Sequence, residues 1–288
     1  MNHFSRTLLT VFMVLAATLV SANAYGQAKI STKKVKISDF TTRTTKVVLG
    51  GNDMTDGALK EEVSARWRIS PFEFCTVEEY RKLKDNPSYY FLLTAVSANS
   101  KDSGILSLTL HKGGKEDAED PNKRPVEVAS LPLCARSFPS GREMTFIPAL
   151  LEIMQDYVSK AVLSDKAGYM GFDSYRKNIL SSAHKRIFFS KDDLSPGLDT
   201  SGFDEDMLIV SEEEADSVFA KKSYNTLVSF VVAPSEAQPG ANCYKMLIDA
   251  DTYELYWFSH HGISFSSGAG FTKKDIKAIT APRKKRRK

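Results

Sequence analysis

Cysteine is scarce in this chain, with three among 288 residues: Cys75, Cys134 and Cys243. That is too few for a disulfide scaffold, and one pair at most could close, with nothing in the sequence to choose among three pairings. Each falls in or beside an expected strand, where a small buried hydrophobe is the ordinary role and a nucleophile the unusual one. Other patterns that carry chemistry are missing as well. There is no phosphate loop, no dinucleotide fingerprint, no Gly-x-Ser-x-Gly elbow, no His-Glu-x-x-His pair and no twelve-residue calcium loop. No metal, nucleotide or other cofactor is therefore expected. Beyond the first two dozen residues no apolar run reaches the roughly 18–20 residues that cross a bilayer, so the mature chain should have no transmembrane span.

What the sequence does have begins with MNHFSRTLLTVFMVLAATLVSANA. Arg6 opens it, Leu8 to Val20 form an apolar run, and Ala22-Asn23-Ala24 is a small-x-small cleavage site. This predicts a cleavable signal peptide over 1–24 and a periplasmic or secreted product. The charge also has a location. The chain holds 39 basic and 35 acidic residues, but Arg6 goes with the signal and six bases form the terminal RKKRRK. The remaining body is mildly acidic. Arg283, Lys284, Lys285, Arg286, Arg287 and Lys288 read as a solvated basic tail over 281–288, and they are the candidate binding residues, for a polyanionic surface.

After a polar leader over 25–45, KVVLG is a short strand. Leu59, Val63 and Trp67 then share a helical face that Pro71 ends. In FEFCTVEEYRKL a strand runs into a capping box, Thr76 with Glu79. Strands at Tyr89–Val96 and Ile105–His111 form a hairpin, and another strand follows near 126–133. The longest helix, about 143–163, carries Ile147, Leu150, Leu151, Met154, Tyr157 and Val158 on one side. Phe172, Tyr175, Ile179, Ala183 and Ile187 predict a second helix, with His184 at the edge of its stripe.

The second half then replays the first. MLIVSEEEADSVF matches FEFCTVEEYRKL, with Ser211 in the place of Thr76. TLVSFVV follows as YYFLLTAV does, and CYKMLID as ILSLTLH. The expected fold class is α/β (or α+β), with two related lobes over 46–135 and 191–280. Connecting helices over 136–190 join them, and an internal duplication is in view. In ELYWFSHHG, strict alternation puts Tyr253, Leu255 and Trp257 on one face and sends His260 and His261 to opposite sides, so the two imidazoles cannot clasp one metal. Thr272 with Asp275 predicts a capped terminal helix, TKKDIKAI, whose N-terminus could hold an anion weakly. The acids near 204–206 read as a solvated loop.

The strand-helix-strand pattern ending in FEFCTVEEYRKL resembles that of exported α/β proteins of Gram-negative bacteria. More distantly it is similar to the α/β domain of the TolB amino-terminal region and of CsgG-like curli secretion proteins, over about 46–110 and again 185–250. The resemblance implies an envelope protein that binds other macromolecules, and it brings no catalytic residues. The first expectation is thus a non-enzymatic envelope protein acting by binding or assembly, with an envelope protein or polyanionic surface as partner. The alternative is a hydrolase whose site gathers distant residues, such as His184, His260 or a cysteine, with acids from either lobe.

Overall fold

The computed structural model describes residues 32–97, 99–115, 125–236 and 238–287. The expected signal peptide and Lys288 lie outside them. Two five-stranded mixed sheets carry the fold. The first holds β1 (Thr44–Leu49), β2 (Phe72–Thr76), β3 (Tyr89–Val96), β4 (Ile105–Lys112) and β5 (Val126–Ala135) in the order β2-β1-β3-β4-β5. The second holds β6 (Arg186–Ser190), β7 (Met207–Val210), β8 (Thr226–Val232), β9 (Asn242–Asp249) and β10 (Leu255–Gly262) in the order β7-β6-β8-β9-β10. In each, the first strand pairs parallel with the next two, and the last two join antiparallel. The second sheet therefore repeats the order and directions of the first.

Helices α1 (Lys33–Lys36), α2 (Asp53–Arg66) and α3 (Val77–Leu83) belong to the first sheet. α4 (Glu143–Ala161) and α5 (Asp165–Met170) lead to the second, which carries α6 (Glu212–Ala220) and α7 (Lys273–Arg287). The capping box is formed: Thr76 accepts from the Glu79 N–H, and the Glu79 carboxylate accepts from the Thr76 N–H at 2.8 Å. Ser211 caps α6 in the same way, accepting from the Glu214 N–H.

The largest core lies between the sheets. It takes Leu59 and Val63 from α2, Phe219 from α6, and residues of both sheets, with α4 running through it. Twelve of the nineteen residues of α4 are buried, because its apolar letters surround most of the helix. Phe146 stacks between Phe219 and Phe230, each with ring centroids 4.2 Å away. Smaller cores close the outer faces. Val48, Cys75 and Phe91 sit under α3, while Ile187, Phe189, Leu247 and Trp257 sit under Phe271, Ile276 and Ile279.

Four expectations change. The second connecting helix is a 3-10 run over Gly171–Ser181, set off from α5 by Gly171 at φ 57°. Ile187 leaves it for β6, where it pairs between Met207 and Leu227; pairing on both sides outweighs local helical spacing. The second lobe accordingly begins at Arg186, within the range read as connecting helices, and β1 reaches back to Thr44 in the polar leader. In β10 a register shift between Leu255 and Trp257 breaks the alternation. Leu255 and Phe258 then face the central core while Tyr256 and Trp257 face the outer one, as a bulge dictates. Finally, 281–287 is no free tail but the end of α7.

Candidate functional site

The site is built on α7. Thr272 and Asp275 start the helix as the spacing predicts: Thr272 donates its N–H and hydroxyl to the Asp275 carboxylate, at 2.9 and 2.7 Å, and accepts the Asp275 N–H. That carboxylate fills the helix N-terminus, so the weak anion site expected there is taken by the chain itself. The buried Lys245 of β9 donates to Asp275 at 2.8 Å, and Ser259 of β10 donates to its other oxygen at 3.0 Å. Burial opposes ionisation of Asp275, but the bonds from Lys245 and Thr272 outweigh it and hold the carboxyl below its ordinary range.

Lys245 also reaches His261 Nδ1 at 2.9 Å. The Gly268 carbonyl, 3.0 Å from Nε2, can only accept, so Nε2 carries the proton and Nδ1 accepts from the ammonium. Burial, reinforced by the Lys245 cation, pushes the His261 pKa down, and the ring is a neutral strut between β9, β10 and the loop before α7. His260 lies on the other face of β10, exposed, with its ring 5.4 Å from that of Tyr244. The adjacent imidazoles point apart.

The far end of α7 is held by Arg283. Its side chain has no solvent exposure. The guanidinium donates to the Asp204 carboxylate at 3.2 Å, the Lys185 carbonyl at 2.8 Å, and both the carbonyl and hydroxyl of Ser182. Two sequence readings are corrected together here. Arg283 is not a solvent-facing binding residue, and Asp204 is not part of a solvated acidic loop; they are one buried ion pair. Pro282, which lacks the N–H that continues a helix, is carried inside α7 because the residue after it is anchored in this way.

Along α7, Lys273, Lys274, Lys277, Lys284, Lys285 and Arg286 are exposed, and none makes an ion pair among the described residues. Lys273, Lys277 and Lys284 line a groove of about 400 Å³ together with Ile276, Thr280 and Ala281, closed on the other side by the 199–202 turn. Positions i, i+4 and i+11 fall on one side of a helix. The result is a cationic rim over a partly apolar floor. Five of the six predicted binding residues thus lie on α7, one of them the buried Arg283, and the sixth, Lys288, is outside the described residues. The sequence reading missed Lys273, Lys274 and Lys277 as partners of the tail, because Pro282 divided one helix into two segments.

The residues named for a hydrolase are not gathered. His184 is exposed, and its carbonyl accepts from Asn225. All three cysteines are buried free thiols in separate settings. Burial pushes Cys134 up to about 12 and Cys243 to about 11, and raises Cys75. Cys243 lies across from His261 in the β9–β10 ladder, yet its sulfur accepts the Gly270 N–H at 3.2 Å and both imidazole nitrogens are engaged elsewhere. Among the described residues there is no cluster of three or more metal-ligating side chains, and no helix long and apolar enough to cross a membrane. No family model, curated protein or solved structure matches the chain.

Proposed function

We propose that this is an exported, non-enzymatic binding protein of the cell envelope, and that α7 is the surface with which it holds polyanionic partners. The observation that carries the reading is the anchored ridge: a buried arginine and a capped N-terminus fix a helix whose free lysines all remain available to a ligand. Fixed charges retain the entropy advantage that a floppy tail of like charges would lose on binding. The signal-like first 24 residues and the resemblance to exported α/β proteins support the envelope setting.

The test is capture of envelope components on the tagged chain from residue 25 onward, alongside retention on a sulfated polysaccharide matrix over a salt series. Substituting Lys273, Lys277 and Lys284 by Gln should lower affinity and flatten the dependence of log K on log salt by up to roughly three charges' worth. Salt-sensitive binding that survives this triple substitution would remove α7 from the account.

A further inference from the structure

A second cleft, of about 580 Å³, opens where the lobes meet, far along the sequence from α7. Its walls are equivalent segments of the two repeats, part of the β3–β4 connection (100–104) and part of the β8–β9 connection (234–236 and 238–241), with 136–138 after β5 completing it. The walls are fixed to each other. Asp102 is buried and accepts from Asn242 at 2.8 Å and Tyr244 at 3.0 Å; Ser235 donates to the Ser137 carbonyl. Gly104 lies so close to Pro234 that a Cβ there would be 2.7 Å from the proline ring. The cleft is preformed, and its volume is that of a small-ligand site, about 300–1,000 Å³.

Its lining has a specific chemistry. Short polar side chains, Ser100, Ser103 and Gln238, offer hydroxyl and amide groups. Lys101 and Arg136 are exposed on the rim without an ion-pair partner among the described residues, against one acid, Glu236. Phe138 stands in the lining with 83% of its surface exposed. Its φ is 54°, a left-handed conformation that a bulky residue rarely adopts and that is further restricted by the following Pro139. Strain of this kind, on the order of 1–3 kcal/mol, persists where surrounding structure enforces it and gathers at functional positions. An aromatic face open to water, hydroxyl partners and a guanidinium suit a ring whose C–H face stacks on the phenyl while its hydroxyls exchange hydrogen bonds and a carboxylate takes the arginine bidentately. A lipid would want an apolar slot, which is absent from this lining, and a peptide strand would want an open ladder edge with side-chain pockets.

We propose that this cleft binds an acidic oligosaccharide, with Phe138 as the stacking platform and Arg136 and Lys101 as the carboxylate partners. The test uses the full chain and a uronic-acid oligomer of four to six units, with calorimetry for affinity and amide NMR shifts for location. Expected is saturable binding with shifts at 100–104, 136–138 and 238–241. Phe138→Ala and Arg136→Gln should each weaken it at least tenfold, while the α7 triple variant leaves it within twofold. Both residues are exposed, so these variants should fold as the parent does, which circular dichroism checks. Three results would overturn the proposal: no shifts in the cleft at millimolar oligomer, equal affinity for a neutral oligomer of the same length, or preferential binding of an acidic peptide there. Loss of binding in the α7 variant alone would assign the oligomer to the ridge and likewise defeat the cleft.

Discussion

The two lobes share a strand order and differ in what their last helices do. α4, after the first sheet, is apolar on nearly all sides and is buried between the sheets. α7, after the second, buries Ile276, Ile279 and Arg283 and turns its lysines outward. The same position in a repeated unit serves as interior in one case and as surface in the other. The crossing between the first two strands differs similarly: α2 fills it in the first lobe, whereas 191–206 in the second is short 3-10 turns that supply Asp193 and Asp204. At these positions one lobe has helices and the other buried charges. Where β4 has Ser107 and His111, the matching positions of β9 are Lys245, which pairs with Asp275, and Asp249, which pairs with Lys185.

The largest effects should come from the two buried arginines. Arg142 donates to Asp193 at 2.9 Å, Asp216 at 2.7 Å and the Ser229 carbonyl at 2.9 Å, joining the start of α4 to the second sheet. Arg142→Ala strands two carboxylates and should cost about 3–5 kcal/mol, with Arg283→Ala at the lower end of that range because it strands one. Urea unfolding, followed separately through Trp67 in the first lobe and Trp257 in the second, checks both. Arg142→Ala should shift both signals together and Arg283→Ala should move the Trp257 signal first. If Arg142→Ala left the Trp67 transition in place, α4 would not be the shared core described above.

A pH series separates His111 from its counterpart Asp249. Burial lowers His111 from 6.5 to about 4; its ring is 5.5 Å from that of Phe91 and 3.4 Å from the Tyr80 hydroxyl. The unfolded chain takes up a proton below about 6.5 while the folded chain stays neutral, so stability falls as pH drops from about 6.5 to about 4. The loss should be on the order of 2–3 kcal/mol. In His111→Gln that part of the profile should be flat; an unaltered slope would trace it to other groups. The smallest contrast is between caps. Thr76→Ala and Ser211→Ala should each cost about 1 kcal/mol, slightly more at Thr76, where the box is reciprocal. Equal or reversed losses in thermal melts would show that the box adds nothing.

Much of this was legible locally. Strand bounds at Tyr89–Val96, the Thr76 and Ser211 caps and the apolar α4 follow from short-range pattern, and the repeated topology follows from the matched motifs. What escaped depends on distant partners. Nothing near Arg283 announces Asp204, 79 positions away, and nothing near Ile187 announces two flanking strands. The bulge in β10 is set by its pairing with β9, so the alternation of YWFSHH misassigned Trp257. His261 was distinguishable from His260 by strand parity alone, but its role as a strut needed Lys245 and Gly268 in place.

Ser182 meets its arginine across 101 positions of sequence, whereas α4 follows the first sheet directly. During synthesis, the first sheet has its covering helix soon after its last strand emerges. The second must wait, with Asp204 still hydrated, until residue 283 has been made. A long-range closure of this sort is slow in proportion to its contact order, and it keeps the chain unfinished for longest in the lobe whose outer helix carries the lysines.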